Sequence, residues 1–153
     1  MASVNPRSSA AIAGHPIHAM LAAIPMVCFI GTLITDLIYW KSAAMMWANF
    51  SAWLLTVGLI VSIFVVIAGL VDFFGDRRVR AIPSAWIHGL GNGIALLLSI
   101  VNAFVHSRDA YTSVVPDGLI LSAVVVLILI VTGWLGSGLV FRHGVGVRAG
   151  DGA

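Results

Sequence analysis

Residues 47–74 read WANFSAWLLTVGLIVSIFVVIAGLVDFF, 28 residues in which the only charge, Asp72, stands near the end. Crossing roughly 30 Å of hydrocarbon takes about 20 helical residues, so a run of this length and composition is a membrane span. Three further stretches have the same character: Ile17–Trp40, Trp86–His106 and Gly118–Val140. Together with their short links they use nearly all of the 153 residues, and the composition agrees: 60% hydrophobic, 9% charged, no Glu and a mean hydropathy of +1.07. The expectation is an all-α membrane protein, a bundle of four transmembrane helices forming one integral membrane domain over residues 15–147. Residues 1–14 make a polar N-terminal tail and residues 148–153 a C-terminal tail.

The first fourteen residues are small and polar and carry only Arg7. A secretory signal places a basic cluster, a short apolar run and a small-residue cleavage site here; the first apolar run instead continues to Trp40 and reads as a retained span. The single cysteine, Cys28, lies in mid-span, which excludes a disulfide framework and a Cys-x-x-Cys-His haem attachment. With four spans, one side of the membrane holds both termini and the 75–85 loop. That side carries Arg7, Arg77, Arg78, Arg80, Arg142 and Arg148, against Lys41 and Arg108 on the other. The excess places both termini in the cytoplasm, in a bacterial cytoplasmic (inner) membrane. These arginines form no patch with interleaved aromatics, so nucleic acid is not a partner; the lipid bilayer is.

Start and stop signals follow the same map. Pro16 offers a first helical position, Ser84 and Asp117 offer N-caps, and the first hairpin turns at about Trp40-Lys41-Ser42. Pro25 removes a backbone bond inside the first span and should kink it.

The chain also repeats. Ile17-His18 recurs as Ile87-His88 and Gly69-Leu70-Val71 as Gly138-Leu139-Val140. Two halves of similar plan, each opening on a histidine, predict a two-fold internal repeat of helix pairs.

Polar residues inside the spans carry the functional signal. At about 100° per residue, His88, Asn92, Ser99, Asn102 and His106 fall within roughly 40° of one line. On the first span His18, Thr32 and Asp36 lie close to a second line. Polar groups are expensive in lipid and turn toward a bundle interior, a cofactor or water, so the first and third spans should face each other along these stripes. His15, His18, His88 and His143 all fall at one membrane level, the cytoplasmic ends of three helices. At that level the fourth span is built from Gly133, Gly136, Ser137 and Gly138. The pairs Thr132/Gly136 and Gly133/Ser137 allow close helix approach, leave oligomerisation open, or make space for a flat macrocycle. Asp72, next to the 76–80 loop, is expected to pair with one of its arginines or with a histidine.

Gly14-His15-Pro16-Ile17-His18, Asp36, Gly69-Leu70-Val71-Asp72, His88 followed by Asn92, and the ending Gly133–Val140 with Arg142-His143-Gly144-Val145-Gly146-Val147 together resemble a bacterial membrane family, domain of unknown function 2231. The resemblance runs from about residue 14 to 147. The family has Pro after the second histidine where this chain has Ala19, and Gly-Gly before Leu-Val where this chain has Ser137-Gly138. The resemblance implies membership and topology, with no assigned activity. Some relatives join the module to a Rieske iron–sulfur domain, which implies redox company; this chain lacks that domain.

Two chemistries suit the histidines. In the first, His18 and His88 are axial ligands of a haem b held between the first and third spans, neutral imidazole being a standard haem-iron ligand. Asn92 stands beside them, and Arg77, Arg78 and Arg142 are placed for the propionates. This reading implies electron transfer, with a quinone or a redox partner protein. In the second, His15, His18, His88 and His143, with Asp72, hold a transition metal ion such as Zn, Cu or Fe for binding or transport. A blander reading is a non-catalytic assembly subunit whose histidines contact a partner. No nucleophile–base pair or nucleotide loop is visible, so the chain reads as a carrier or subunit rather than a stand-alone enzyme. At the outer end, Asp36 and His106 each follow a repeated histidine by 18 residues, which predicts that they face each other as a polar pair. That pair serves as a clamp between helices, as a proton acceptor for a quinol, or as a relay.

Overall fold

The computed structural model describes residues 5–108 and 114–147. A two-residue antiparallel bridge, β1 (Ala11–Ile12) with β2 (His15–Pro16), precedes α1 (Ile17–Leu21) and α2 (Ala23–Ser42). After the Ala43-Ala44 hairpin come α3 (Met45–Gly75), the short α4 (Arg77–Arg80) and α5 (Pro83–Ser107). A wide turn, Val114–Gly118, leads into α6 (Leu119–Phe141). Four helical stretches are long and apolar enough to cross a membrane: Ile17–Ser42, Met45–Gly75, Pro83–Ser107 and Val114–Phe141.

Several local expectations are corrected. Pro16 is the N-cap of α1 (ψ 119°), and helical geometry starts at Ile17. Neither Ser84 nor Asp117 caps a helix: Ile82 is the extended N-cap of α5, Pro83 takes the first helical position, and α6 grows out of the wide turn at Gly118. Pro83 fits there because its missing N–H is one that a helix start leaves unbonded anyway. The first hairpin turns at Ala43, with φ 53°, two residues beyond Lys41. Helix α1 stops at Leu21, four residues before Pro25, whose missing N–H would have bonded the Leu21 carbonyl; the expected kink lies there.

Helix α2 packs on α3 and α6, and α5 packs on α6 and α3. The helices therefore run round the bundle in the order α2, α3, α5, α6, with α2 and α5 facing across the diagonal. Phe29, Leu55, Ala95 and Val125, one from each helix, form the mid-bundle core. Largely apolar side chains face outward, Trp53, Leu90, Phe104, Trp134 and Phe141 each at least 70% exposed. The fully buried positions, by contrast, include Thr32, Asp36, Ser51, Ser99, Asn102 and His106. This is the distribution a lipid solvent selects. Tails as apolar as leucine give no reward for hiding leucine, so close packing and hydrogen bonds hold the helices together. Single hydroxyls are satisfied within their own helices, Ser62 donating to the Gly58 carbonyl (2.7 Å) and Ser99 to that of Ala95 (2.8 Å).

At the end of the bundle opposite the Ala43 hairpin, the N-terminal segment folds back over the helices. Asp72 Oδ1 accepts from Ser8 Oγ (2.8 Å) and the Ala10 N–H (2.7 Å), and Asp76 Oδ2 accepts from the Arg7 N–H (3.1 Å). The Gly146 N–H donates to the Pro6 carbonyl (2.9 Å), tying the segment after α6 to the same strap. Gly144 and Gly146 make that close crossing with φ of +63° and +77°, where a side chain would be strained.

Candidate functional site

His18 comes from α1 and His88 from α5, and their ring centroids stand 6.1 Å apart with the planes at 77°. Each ring is fixed in the same way by the next helix in the chain. His18 Nδ1 lies 3.0 Å from the Val65 carbonyl on α3, and His88 Nδ1 lies 2.8 Å from the Thr132 carbonyl on α6. A carbonyl only accepts, so both Nδ1 atoms carry the proton, and in the neutral ring Nε2 keeps its lone pair. One turn beyond each carbonyl is a glycine under the ring. A Cβ at Gly69 would fall 2.9 Å from His18 Nδ1, and one at Gly136 would fall 2.8 Å from His88 Cε1. Ring, carbonyl and glycine thus form a unit that occurs twice, and the internal repeat is a structural one. Its register differs from the tripeptide match: the partner of Gly69 is Gly136, while nothing lies within 4 Å of where a Cβ would sit at Gly138. The shared Gly-Leu-Val therefore does not mark the ring-contacting glycine of the second half.

Asn92 supports His88, its Nδ2 donating to the His88 carbonyl at 2.7 Å. The arginines expected near this pair are at the same end. Arg77 and Arg142 are exposed, and Arg78 makes a salt bridge to Asp76 at 2.9 Å. This neighbour holds the Asp76 carboxyl down to about 2, chiefly through the Arg78 side-chain hydrogen bond and then the Arg78 backbone N–H.

The larger metal set does not assemble. Among the described residues no three His, Cys, Asp or Glu side chains gather to share an ion. His15 and His143 are exposed. The partners of Asp72 are Ser8 and Ala10, neither an arginine nor a histidine. The carboxylate was expected to meet a charge, but the N-terminal strap offered two donors first.

Near the hairpin end, Asp36 and His106 are both fully buried and meet at 2.9 Å, Nε2 to Oδ1. All four spans contribute to the contact. Ser51 of α3 donates to Asp36 Oδ1 and Ser122 of α6 donates to Oδ2, each at 2.6 Å. Behind them, Thr35 lies 2.7 Å from Ser51 Oγ, and Asn102 Nδ2 donates to Ser122 Oγ at 2.8 Å. The one hydroxyl hydrogen of Ser51 goes to Asp36, and Thr35 Oγ1, which also reaches the Gly31 and Thr32 carbonyls at 3.0 Å, shares its own hydrogen among these acceptors and Ser51. Ser122 likewise spends its hydrogen on Asp36, which fixes the Asn102 amide with nitrogen toward Ser122 and leaves its Oδ1 buried without a protein partner. His106 Nδ1 faces the Asn102 carbonyl at 3.0 Å. Ser51 and Ser122 were not anticipated from the sequence; lone serines in apolar helices give no sign of which carboxylate they will meet.

The fold and these two polar centres define a multi-pass helical membrane protein with half-buried His18 and His88 at one end and buried His106 near the other. The chain belongs to the predicted membrane protein family DUF2231, which matches residues 14–149. No curated protein and no solved structure matches it.

Proposed function

We propose that the chain is a haem-binding electron carrier of the bacterial cytoplasmic membrane, both termini on the cytoplasmic side, with His18 and His88 as the axial ligands of one b-type haem. The observation that carries the reading is the paired imidazole geometry. Two rings on opposite sides of one metal ion, each through a bond of about 2 Å, have centroids about 6 Å apart, and the observed separation is 6.1 Å. Metal-binding histidines almost always donate their other ring N–H to a carbonyl or carboxylate, which sets the tautomer and raises the basicity of the ligating nitrogen. Val65 and Thr132 offer that second contact.

The chain's own contribution is positioning. The α3 and α6 backbones aim the rings, Gly69 and Gly136 give them room, and the apolar bundle excludes water. Arg77 and Arg142 are exposed cations at that end that suit propionates. Haem, when bound, supplies one-electron chemistry; its electrons would come from a quinol or a redox protein.

The test is composition. Protein purified from haem-replete cells should contain one haem per chain, His18→Ala and His88→Ala should each lose it, and His15→Ala and His143→Ala should keep it. A wild type with no haem but one equivalent of zinc or copper, or full haem content in both His18→Ala and His88→Ala, would overturn the reading.

A further inference from the structure

We propose that Asp36 and His106 form a buried proton-binding site, held as a carboxylate–imidazolium pair with the proton on His106 Nε2. The proposal stands apart from the haem reading and rests on counting hydrogens. His106 Nδ1 faces only the Asn102 carbonyl, so it must donate. Nε2 faces Asp36 Oδ1 at 2.9 Å. Were that nitrogen bare beside an ionised carboxylate, two lone pairs would oppose each other at hydrogen-bond distance in an apolar bundle. One proton is therefore required on the line between them.

The surrounding donors place it on the imidazole. Ser51 and Ser122 both donate to Asp36, Ser122 itself accepts from Asn102, and Thr35 stands 2.7 Å behind Ser51. Two hydroxyl donors, one to each carboxylate oxygen, thus meet Asp36 beside the imidazole, and each of these bonds is strongest with the carboxylate ionised. Tyr39, Lys41, Arg108 and Asp117 lie at the same end toward the surface, Lys41 over the Trp40 ring. Moving the proton across breaks the Nε2–H bond, forms O–H on Asp36 and returns the electron pair to Nε2. Every other hydrogen bond survives, so one proton is held between Asp36 and His106 in either position with no movement of a helix.

The test is nitrogen NMR of protein with 15N-labelled histidine, in lipid nanodiscs at neutral pH, with His106 assigned through its loss in His106→Gln. Both ring nitrogens of His106 should carry hydrogen in the wild type, and Asp36→Asn should convert it to a neutral ring with one bare nitrogen. A bare ring nitrogen in the wild type would overturn the proposal, as would a doubly protonated His106 that persists in Asp36→Asn. Should Asp36→Asn fail to fold, the wild-type spectrum alone decides.

Discussion

His18 lies against Gly69 so closely that a single added carbon there would sit 2.9 Å from its Nδ1, and His88 stands to Gly136 in the same relation at 2.8 Å to its Cε1. The two contacts link each histidine-bearing helix to its partner in the hairpin, and they set the ring positions at which the histidines meet across the diagonal.

Adding side chains at these glycines should therefore act on the histidines rather than on the bundle as a whole. Gly69→Val and Gly136→Val should each displace an imidazole and reduce bound haem at least tenfold. Gly138→Ala, on the same helix with open space around it, should leave haem unchanged. Helix propensity alone predicts that Gly138→Ala raises stability by up to about 1 kcal/mol. Absorbance per mole of protein and thermal melts in detergent separate the two effects. Equal behaviour of Gly136→Val and Gly138→Ala would remove the special role of Gly136.

How far these relations are readable in sequence differs from residue to residue. The spans are legible because hydrocarbon thickness dictates their length, and each span lies within five residues of its expected ends. The third-span stripe is legible because helical periodicity is geometric: Ser99, Asn102 and His106 are buried, and His88 and Asn92 half-buried. The Asp36–His106 contact follows from the repeat. Partners that depend on where two chains cross are not legible. Nothing in the residues around Ser51 or Ser122 marks them as donors to Asp36, and the carbonyls of Val65 and Thr132 have no sequence signature at all. Asp72 misled because an arginine-rich loop follows it five residues on in sequence, whereas its partners in space are Ser8 and Ala10.

The four-helix polar network should be strongly uneven in its sensitivity. Asp36→Ala strands a buried imidazolium and should cost about 3–5 kcal/mol, the range for breaking a buried charge pair. Ser51→Ala and Ser122→Ala each remove one interhelical donor, an effect of about 0.6–2 kcal/mol in membrane bundles. Unfolding in a graded detergent mixture measures all three. Comparable losses for Asp36→Ala and Ser51→Ala would show that the pair is uncharged.

Two of the bonds that hold the N-terminal strap, from Ser8 and Ala10, end on one oxygen of Asp72, so Asp72→Ala should loosen it. Charge-assisted hydrogen bonds contribute about 1.5–3 kcal/mol together with their desolvated partners, and the Ser8 and Ala10 contacts are both of this kind. Amide exchange over residues 6–16 should quicken by at least tenfold in Asp72→Ala while the centre of α3 stays protected. Unchanged exchange in that segment would show that the Pro6–Gly146 and Arg7–Asp76 links suffice without Asp72.

Asp76 caps α4 through the Arg78 N–H at 2.9 Å and pairs with the Arg78 side chain. Its carboxyl is depressed from 3.8 to about 2. A depressed carboxylate stabilises the fold fully above its unfolded value and loses that contribution as pH falls through the folded one. Protection of α4 amides should accordingly hold above pH 5 and decline between about pH 4 and 2. Asp76→Asn should abolish that step. The amplitude will be small because water screens an exposed pair, and salt should reduce it further.

The central claim, that His18 and His88 hold one haem between them, is tested most directly by the reduced-minus-oxidised absorption spectrum of the purified protein. Two imidazoles on one iron predict a low-spin spectrum with sharp α and β bands on dithionite reduction, unaltered by carbon monoxide because no coordination position is open. In His88→Ala, the same spectrum should be lost or become high-spin and carbon-monoxide-reactive. A wild type that binds carbon monoxide, or a low-spin spectrum that survives in both His18→Ala and His88→Ala, would contradict the account.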